Sequence, residues 1–169
     1  DGVLDLIPAF VKNGHCVSLG HSGATYEQAR AGIAAGARQA THLFNRMTPM
    51  NHRDPGVVGA VFDSREVVAE IICDGVHVHP AAIRAAVAAK GVDRVMAITD
   101  GTGGSGMPEG TRAMLGGRPI TVGNAAYLDD GTLAGSVLTM DRAFRMLVEM
   151  GFSLVQAARM CATTPARQR

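Results

Sequence analysis

The chain has 169 residues, and 16 Lys and Arg stand against 15 Asp and Glu for a net charge of +1 with histidine neutral, so no broad field attracts nucleic acid or an anionic membrane. Apolar residues make up 47% and charged residues 18%, below the roughly 25% charge of ordinary domains, which leaves a thin polar coat and implies surface meant to be covered. Cys16, Cys73 and Cys161 are odd in number and widely spaced, which argues against a disulfide framework or a thiolate zinc site and for a reduced, cytoplasmic setting.

Leu4 to Val11 reads as the end of an amphipathic helix closed by Asn13-Gly14, glycine being the usual left-handed helix terminator. HCVSLGH follows as a short buried strand. Thr25 predicts a cap for the helix YEQARAGIAAGA, with Glu27 in its first turn and Gly36 near its end. A second short strand, ARQATHLF, comes next. Past a loop holding Pro49 and Pro55, GVVGAVF and EVVAEIICDG read as β-branched apolar runs of strand type, and Pro80 opens the helix AAIRAAVAAKG. RVMAITDG is a further strand. Gly101 to Gly117 reads as a glycine-rich loop, and GRPITVGNAAYLDDGTLAGS as a β-hairpin near 116–132 that turns at Asp130-Gly131. LTMDRAFRMLVEM and SLVQAARMCATTP finish the chain as two helices, with Ser153 as a cap and Pro165 as a stop.

Strands that are apolar throughout rather than alternating belong to a parallel sheet covered on both faces, so the fold class is α/β. In such a sheet the carboxyl ends of the strands share one face, where substrates bind. His21, His42, Asp74 with His77, and Asp100 each follow one of four successive strands. His21 and His42 are one strand–helix–strand repeat apart, hence neighbours, and two neutral imidazoles side by side suit a divalent metal such as zinc. Asp100 is then the natural general base. Two protein ligands are too few for a catalytic zinc, so a third must be Asp74, Glu70 or a group outside this sequence. Taken singly, a histidine at a strand end can be merely structural and an Asp before Gly a turn former. Turn chemistry gives no reason for every consecutive strand to end in such a group.

The ordered motifs LGHSGAT, ATHLFNRMTPM, GVVGAVF, IICDGVHVHP, AITDGTGGSG and DGTLAGS run from about Gly20 to Pro165. Together they resemble the N-acetylglucosamine-6-phosphate deacetylase family of the amidohydrolase superfamily. The resemblance implies a metal-dependent (β/α)8 TIM barrel with a small accessory β domain, of which 1–169 is a single partial catalytic domain, strands five to eight with their helices. It implies that His21 and His42 are metal ligands on strands five and six, and that Asp100 on strand eight is the general base and acid. It further implies substrate contacts from Asn45, Arg46, Arg53, Asp74, Gly75, Val76, His77, Leu133, Ala134 and Gly135. Arg53 and His77 would form the phosphate-binding pair, the arginine being supplied across a homodimer interface. The implied metal is zinc, with iron, manganese or cobalt as alternatives. The implied reaction is hydrolysis of the acetamide of N-acetylglucosamine 6-phosphate to glucosamine 6-phosphate and acetate, in cytoplasmic amino-sugar catabolism.

Family members carry, ahead of this region, the first four barrel strands, an HxH motif, a metal-binding glutamate and an amide-polarising histidine. None is in this sequence, so the chain alone is expected to bind metal weakly and turn over little, with two open sheet edges. The final RQR matches nothing in the family. Two rival readings are another amidohydrolase acting on a different amide or cyclic imide, and a non-catalytic sugar-phosphate-binding half barrel.

Overall fold

The computed structural model describes residues 2–168. Helix α1 (Val3–Lys12) ends on Asn13, and Gly14 follows in the left-handed region at φ 82°. Strand β1 (Ser18–Leu19) leads to helix α2 (Tyr26–Ala34), which Thr25 caps through its hydroxyl while Gln28 reaches back to the Thr25 N–H. Strand β2 (Gln39–Ala40), helix α3 (Gly56–Asp63), strand β3 (Val68–Ile72) and helix α4 (Pro80–Lys90) continue the alternation. One 3-10 turn, Val92–Arg94, enters strand β4 (Val95–Ile98). The four strands form a parallel sheet in sequence order, in register at Leu19 with Ala40, Ala40 with Ala69 and Ile72 with Ile98. That order places the carboxyl ends of all four strands along one rim. Leu43, Ile71, Ile72, Ile83, Leu147 and Met160 fill the core against it, all fully buried.

The run GVVGAVF is helix α3 and not a strand. Residues 56 to 61 are buried on every side, and a helix apolar all round belongs inside a protein whatever its β-branched content. Its start is pinned where the Val57 N–H donates to Thr48 Oγ1 at 2.8 Å. Gly56 begins it at φ 57°, where a Cβ would lie 2.7 Å from the Pro49 carbonyl oxygen.

The expected glycine-rich loop contains strand β5 (Arg112–Leu115), which turns at Gly116-Gly117 into β6 (Arg118–Val122) and then pairs on to β7 (Ala126–Tyr127), all antiparallel. Gly116 and Gly117 both have positive φ, 52° and 82°, which suits the tight primed turn that a short hairpin needs. Asp130-Gly131 closes only a short return, with one bridge between Tyr127 and Leu133. Helix α5 (Met140–Glu149) and helix α6 (Leu154–Ala158), the latter capped by Ser153, follow. Pro165 does not stop the chain's last helix. The helical stretch runs on through a π-helical turn, Arg159–Thr163, into helix α7 (Thr164–Arg167), so Pro165 lies within it, beside the turn where the hydrogen-bond period widens.

Candidate active site

The β1 and β2 strands are only two residues long because the chain turns sharply at their ends. His21 (φ 45°), His42 (φ 30°) and Asp100 (φ 45°) all adopt left-handed backbone, as do Phe44 (φ 78°) and Arg46 (φ 53°), and these are the non-glycine residues with positive φ among those described. Such conformations cost about 1–3 kcal/mol each and persist where surrounding structure over-determines them. Here the Thr41 N–H donates to Leu19 O at 2.8 Å, the Leu43 N–H to Glu70 O at 2.7 Å and the Asn45 N–H to His42 O at 3.0 Å. Thr48 ties the two histidine loops together, its N–H donating to Ser22 O at 3.2 Å and its hydroxyl to Ala24 O at 2.7 Å.

The result brings His21 Nε2 and His42 Nε2 to 2.8 Å of each other. His42 is buried, and among the described residues its Nδ1 has no hydrogen-bond partner. A cavity of about 420 Å³ opens above the pair, lined at the strand ends by His21, His42, Asn45, Arg46, His77 and Asp100. Its far wall is Leu133 to Gly135, docked to the end of β4 where the Thr102 N–H donates to Ser136 O at 3.0 Å and Gly101 bridges Ser136. Gly135 permits that approach: a Cβ there would sit 2.8 Å from Thr102 Cγ2.

Two imidazole nitrogens facing one point fit two positions of a divalent metal and do not complete its shell. Among the described residues no group of three His, Cys, Asp or Glu side chains gathers to hold a metal. Glu70 is engaged elsewhere, by the Gln39 side chain and by the His42 N–H at 3.4 Å. Asp74 is also engaged. Its Oδ2 meets His77 Nδ1 at 2.6 Å, and its Oδ1 accepts from the N–H groups of Val76 at 2.9 Å and His77 at 2.8 Å. Burial raises the Asp74 carboxyl, and these hydrogen bonds more than offset it, leaving the group below its ordinary value. Cys73, beside this turn, is buried, and burial pushes its thiol up to about 12.

No family model matches the chain. An N-acetylglucosamine-6-phosphate deacetylase of Lysinibacillus sphaericus is 41% identical over 164 residues, 96% of this chain and 42% of that protein. An N-acetylgalactosamine-6-phosphate deacetylase of Escherichia coli is 39% identical over 169 residues, 99% of this chain and 44% of the relative. A solved N-acetyl-D-glucosamine-6-phosphate deacetylase of Mycobacterium smegmatis, an Asp-to-Ala variant in complex with N-acetyl-D-glucosamine-6-phosphate, superposes with a TM-score of 0.93 at 38% identity, over 99% of this chain and 46% of that one. The chain belongs to the N-acetylglucosamine-6-phosphate deacetylase family. It spans less than half the length of these relatives.

In this member of the deacetylase family, the expected site residues divide into two groups. His21, His42, Asn45, Arg46, His77, Asp100, Leu133, Ala134 and Gly135 line one cavity. Asp74, Gly75, Val76 and the exposed Arg53 are not among the residues lining the cavity. The side-chain amide of Asn45 is turned toward the His42 and Leu43 carbonyls, at 3.4 Å each. The cavity also takes Leu115, Arg118, Leu128 and Thr132, which the sequence reading missed. They come from the antiparallel sheet and its return, and only the fold of that sheet over the rim reveals which side chains face inward. Among the described residues no helix is long and apolar enough to cross a membrane.

Proposed function

We propose that this chain is the C-terminal half of a (β/α)8 barrel, one partial catalytic domain over 1–169 in which β1 to β4 are barrel strands five to eight. In the complete enzyme it would hydrolyse the acetamide of N-acetylglucosamine 6-phosphate to glucosamine 6-phosphate and acetate. The observation that carries this reading is the meeting of His21, His42 and Asp100, each in left-handed backbone, at the mouth of one cavity.

His21 and His42 would hold a divalent metal, zinc first with iron, manganese or cobalt as alternatives, with further ligands from outside this chain; bound there, it supplies Lewis acidity at the amide carbonyl and toward water. Asp100 takes a proton from the attacking water and passes it to the leaving nitrogen, as the new C–O bond forms and the C–N bond breaks. Arg46 and Asn45 border the sugar, and the loop 133–135 closes over it with backbone groups. His77, held by Asp74, binds the phosphate, joined by Arg53 from the second subunit of a homodimer. The setting in this reading is cytoplasmic, to which three free cysteines are suited.

Acetate release from N-acetylglucosamine 6-phosphate tests the proposal, measured for these 169 residues alone and for a longer polypeptide containing them. Turnover is expected only from the longer one. Robust turnover by 169 residues overturns the half-barrel reading, and none from a folded, metal-loaded longer chain overturns the activity. The identity to a galactosamine-type relative favours including N-acetylgalactosamine 6-phosphate as the second substrate.

A further inference from the structure

We propose that the amino ends of β3 and β4, at the opposite end of the sheet from His21, His42 and Asp100, form a second site that binds a phosphoryl group through Arg65, Lys90 and Arg94. A cavity of about 290 Å³ lies there, lined by Phe62, Ser64, Arg65, Ala89, Lys90 and Arg94. Lys90 is 5% exposed. Its ammonium donates to Val61 O at 2.8 Å and to Ser64 O, which accounts for two of its three N–H groups. These two carbonyls close the end of α3 and explain why a lysine is buried there. They do not explain why two arginines join it without an acid.

Every acid next to the cluster in sequence faces another element. Asp63 pairs with Arg30 at 3.7 Å, Glu66 with Arg38 at 3.3 Å, and Asp93 with Arg159 at 3.5 Å and Arg167 at 3.9 Å. Among the described residues no carboxylate lies within ion-pair distance of Arg65, Lys90 or Arg94. Arg94 is held in place by its Nε, which donates to the Arg65 carbonyl oxygen at 2.7 Å, and among the described residues no other hydrogen bond engages its guanidinium. Burial, and then Arg94, bring Lys90 down to about 8, the mark of a cation kept near another without a counter-ion. A tetrahedral dianion supplies what is missing, with acceptor oxygens enough for an ammonium and two guanidinium forks. A single carboxylate offers fewer.

Calorimetric titration of the protein with inorganic phosphate, at constant ionic strength, tests the site. Arg65→Ala with Arg94→Ala should weaken phosphate binding at least about tenfold, while Arg145→Ala, an exposed arginine paired with Asp141 and outside both cavities, should leave it intact. Arg65 and Arg94 are exposed, so the double variant keeps the Lys90 contacts and should fold. Glycerol 3-phosphate separates the sources: equal binding assigns the site to a phosphorylated metabolite, and binding of inorganic phosphate alone assigns it to the free ion. No saturable binding to the wild type, or unchanged binding to the Arg65/Arg94 variant, overturns the proposal. Backbone amide NMR of the wild type needs no variant: phosphate should shift Ser64 and Gly91, and shifts confined to His42–Arg46 and His77 overturn it equally.

Discussion

His21 and His42 present their Nε2 atoms to each other at 2.8 Å, from rings inclined at 57°. Nitrogens this close need a proton or a metal between them, since two bare lone pairs repel. His42→Ala should therefore lower zinc bound after dialysis, measured by elemental analysis, by at least about tenfold in affinity, as loss of a ligand usually does. Undiminished zinc in that variant would remove His42 from the ligand set.

Asp100 lines the same cavity, and among the described residues no hydrogen bond engages its side chain. Asp100→Asn should leave zinc content as it is and reduce turnover by the longer polypeptide about 100- to 10,000-fold, the span of a lost general base. Parallel falls in zinc and turnover would make Asp100 a ligand instead.

In the proposed site Asp74 would act through His77, whose Nδ1 its Oδ2 meets at 2.6 Å. Asp74→Asn should raise KM for the phosphorylated sugar about tenfold with kcat little changed, and leave the poorer turnover of unphosphorylated N-acetylglucosamine where it was. Equal losses on both substrates would show a structural role alone. The Asp74 carboxyl sits below its ordinary value of 3.8 in the folded chain, so its stabilisation is complete above that value and fades as pH falls through the lower folded one. The asparagine variant should flatten that acid limb in urea titrations.

Gly56 begins α3 at φ 57° with the Thr48 and Pro49 carbonyl oxygens 2.8 and 2.7 Å from where a Cβ would be. Both neighbours are backbone and have little room to yield. Gly56→Ala should cost about 1–3 kcal/mol of stability, visible as a lower urea midpoint. An unchanged midpoint would mean that the loop re-forms without strain.

The rim was legible because the βα rhythm alone puts His21, His42, His77 and Asp100 at strand carboxyl ends. The backbone that holds them was not. Left-handed histidine and aspartate have no sequence signature, so strands read as seven or eight residues shrink to Ser18–Leu19 and Gln39–Ala40. GVVGAVF was misread because its β-branched residues answer to burial on all sides rather than to intrinsic preference. Arg118 and Thr132 were invisible as site residues, since their place depends on a sheet fold set by the Gly116-Gly117 turn. The π-helical turn before Pro165 hides in the same way, being a one-residue change in hydrogen-bond period within an ordinary helical pattern.

Lys90 should make stability depend on pH in an unusual direction. Burial lowers it from 10.5 to about 8 in the folded chain. Between those values the folded chain has released the proton while the unfolded chain still holds it, so raising pH favours folding. Wild type should gain stability relative to Lys90→Met as pH climbs from about 8 toward 10.5, read as a widening difference in urea midpoint. Added phosphate, by pairing with the ammonium, should keep the proton on and shrink that gain. A difference that stays constant across the window would mean that the Val61 and Ser64 carbonyls alone hold the lysine charged, and that burial does not set its protonation.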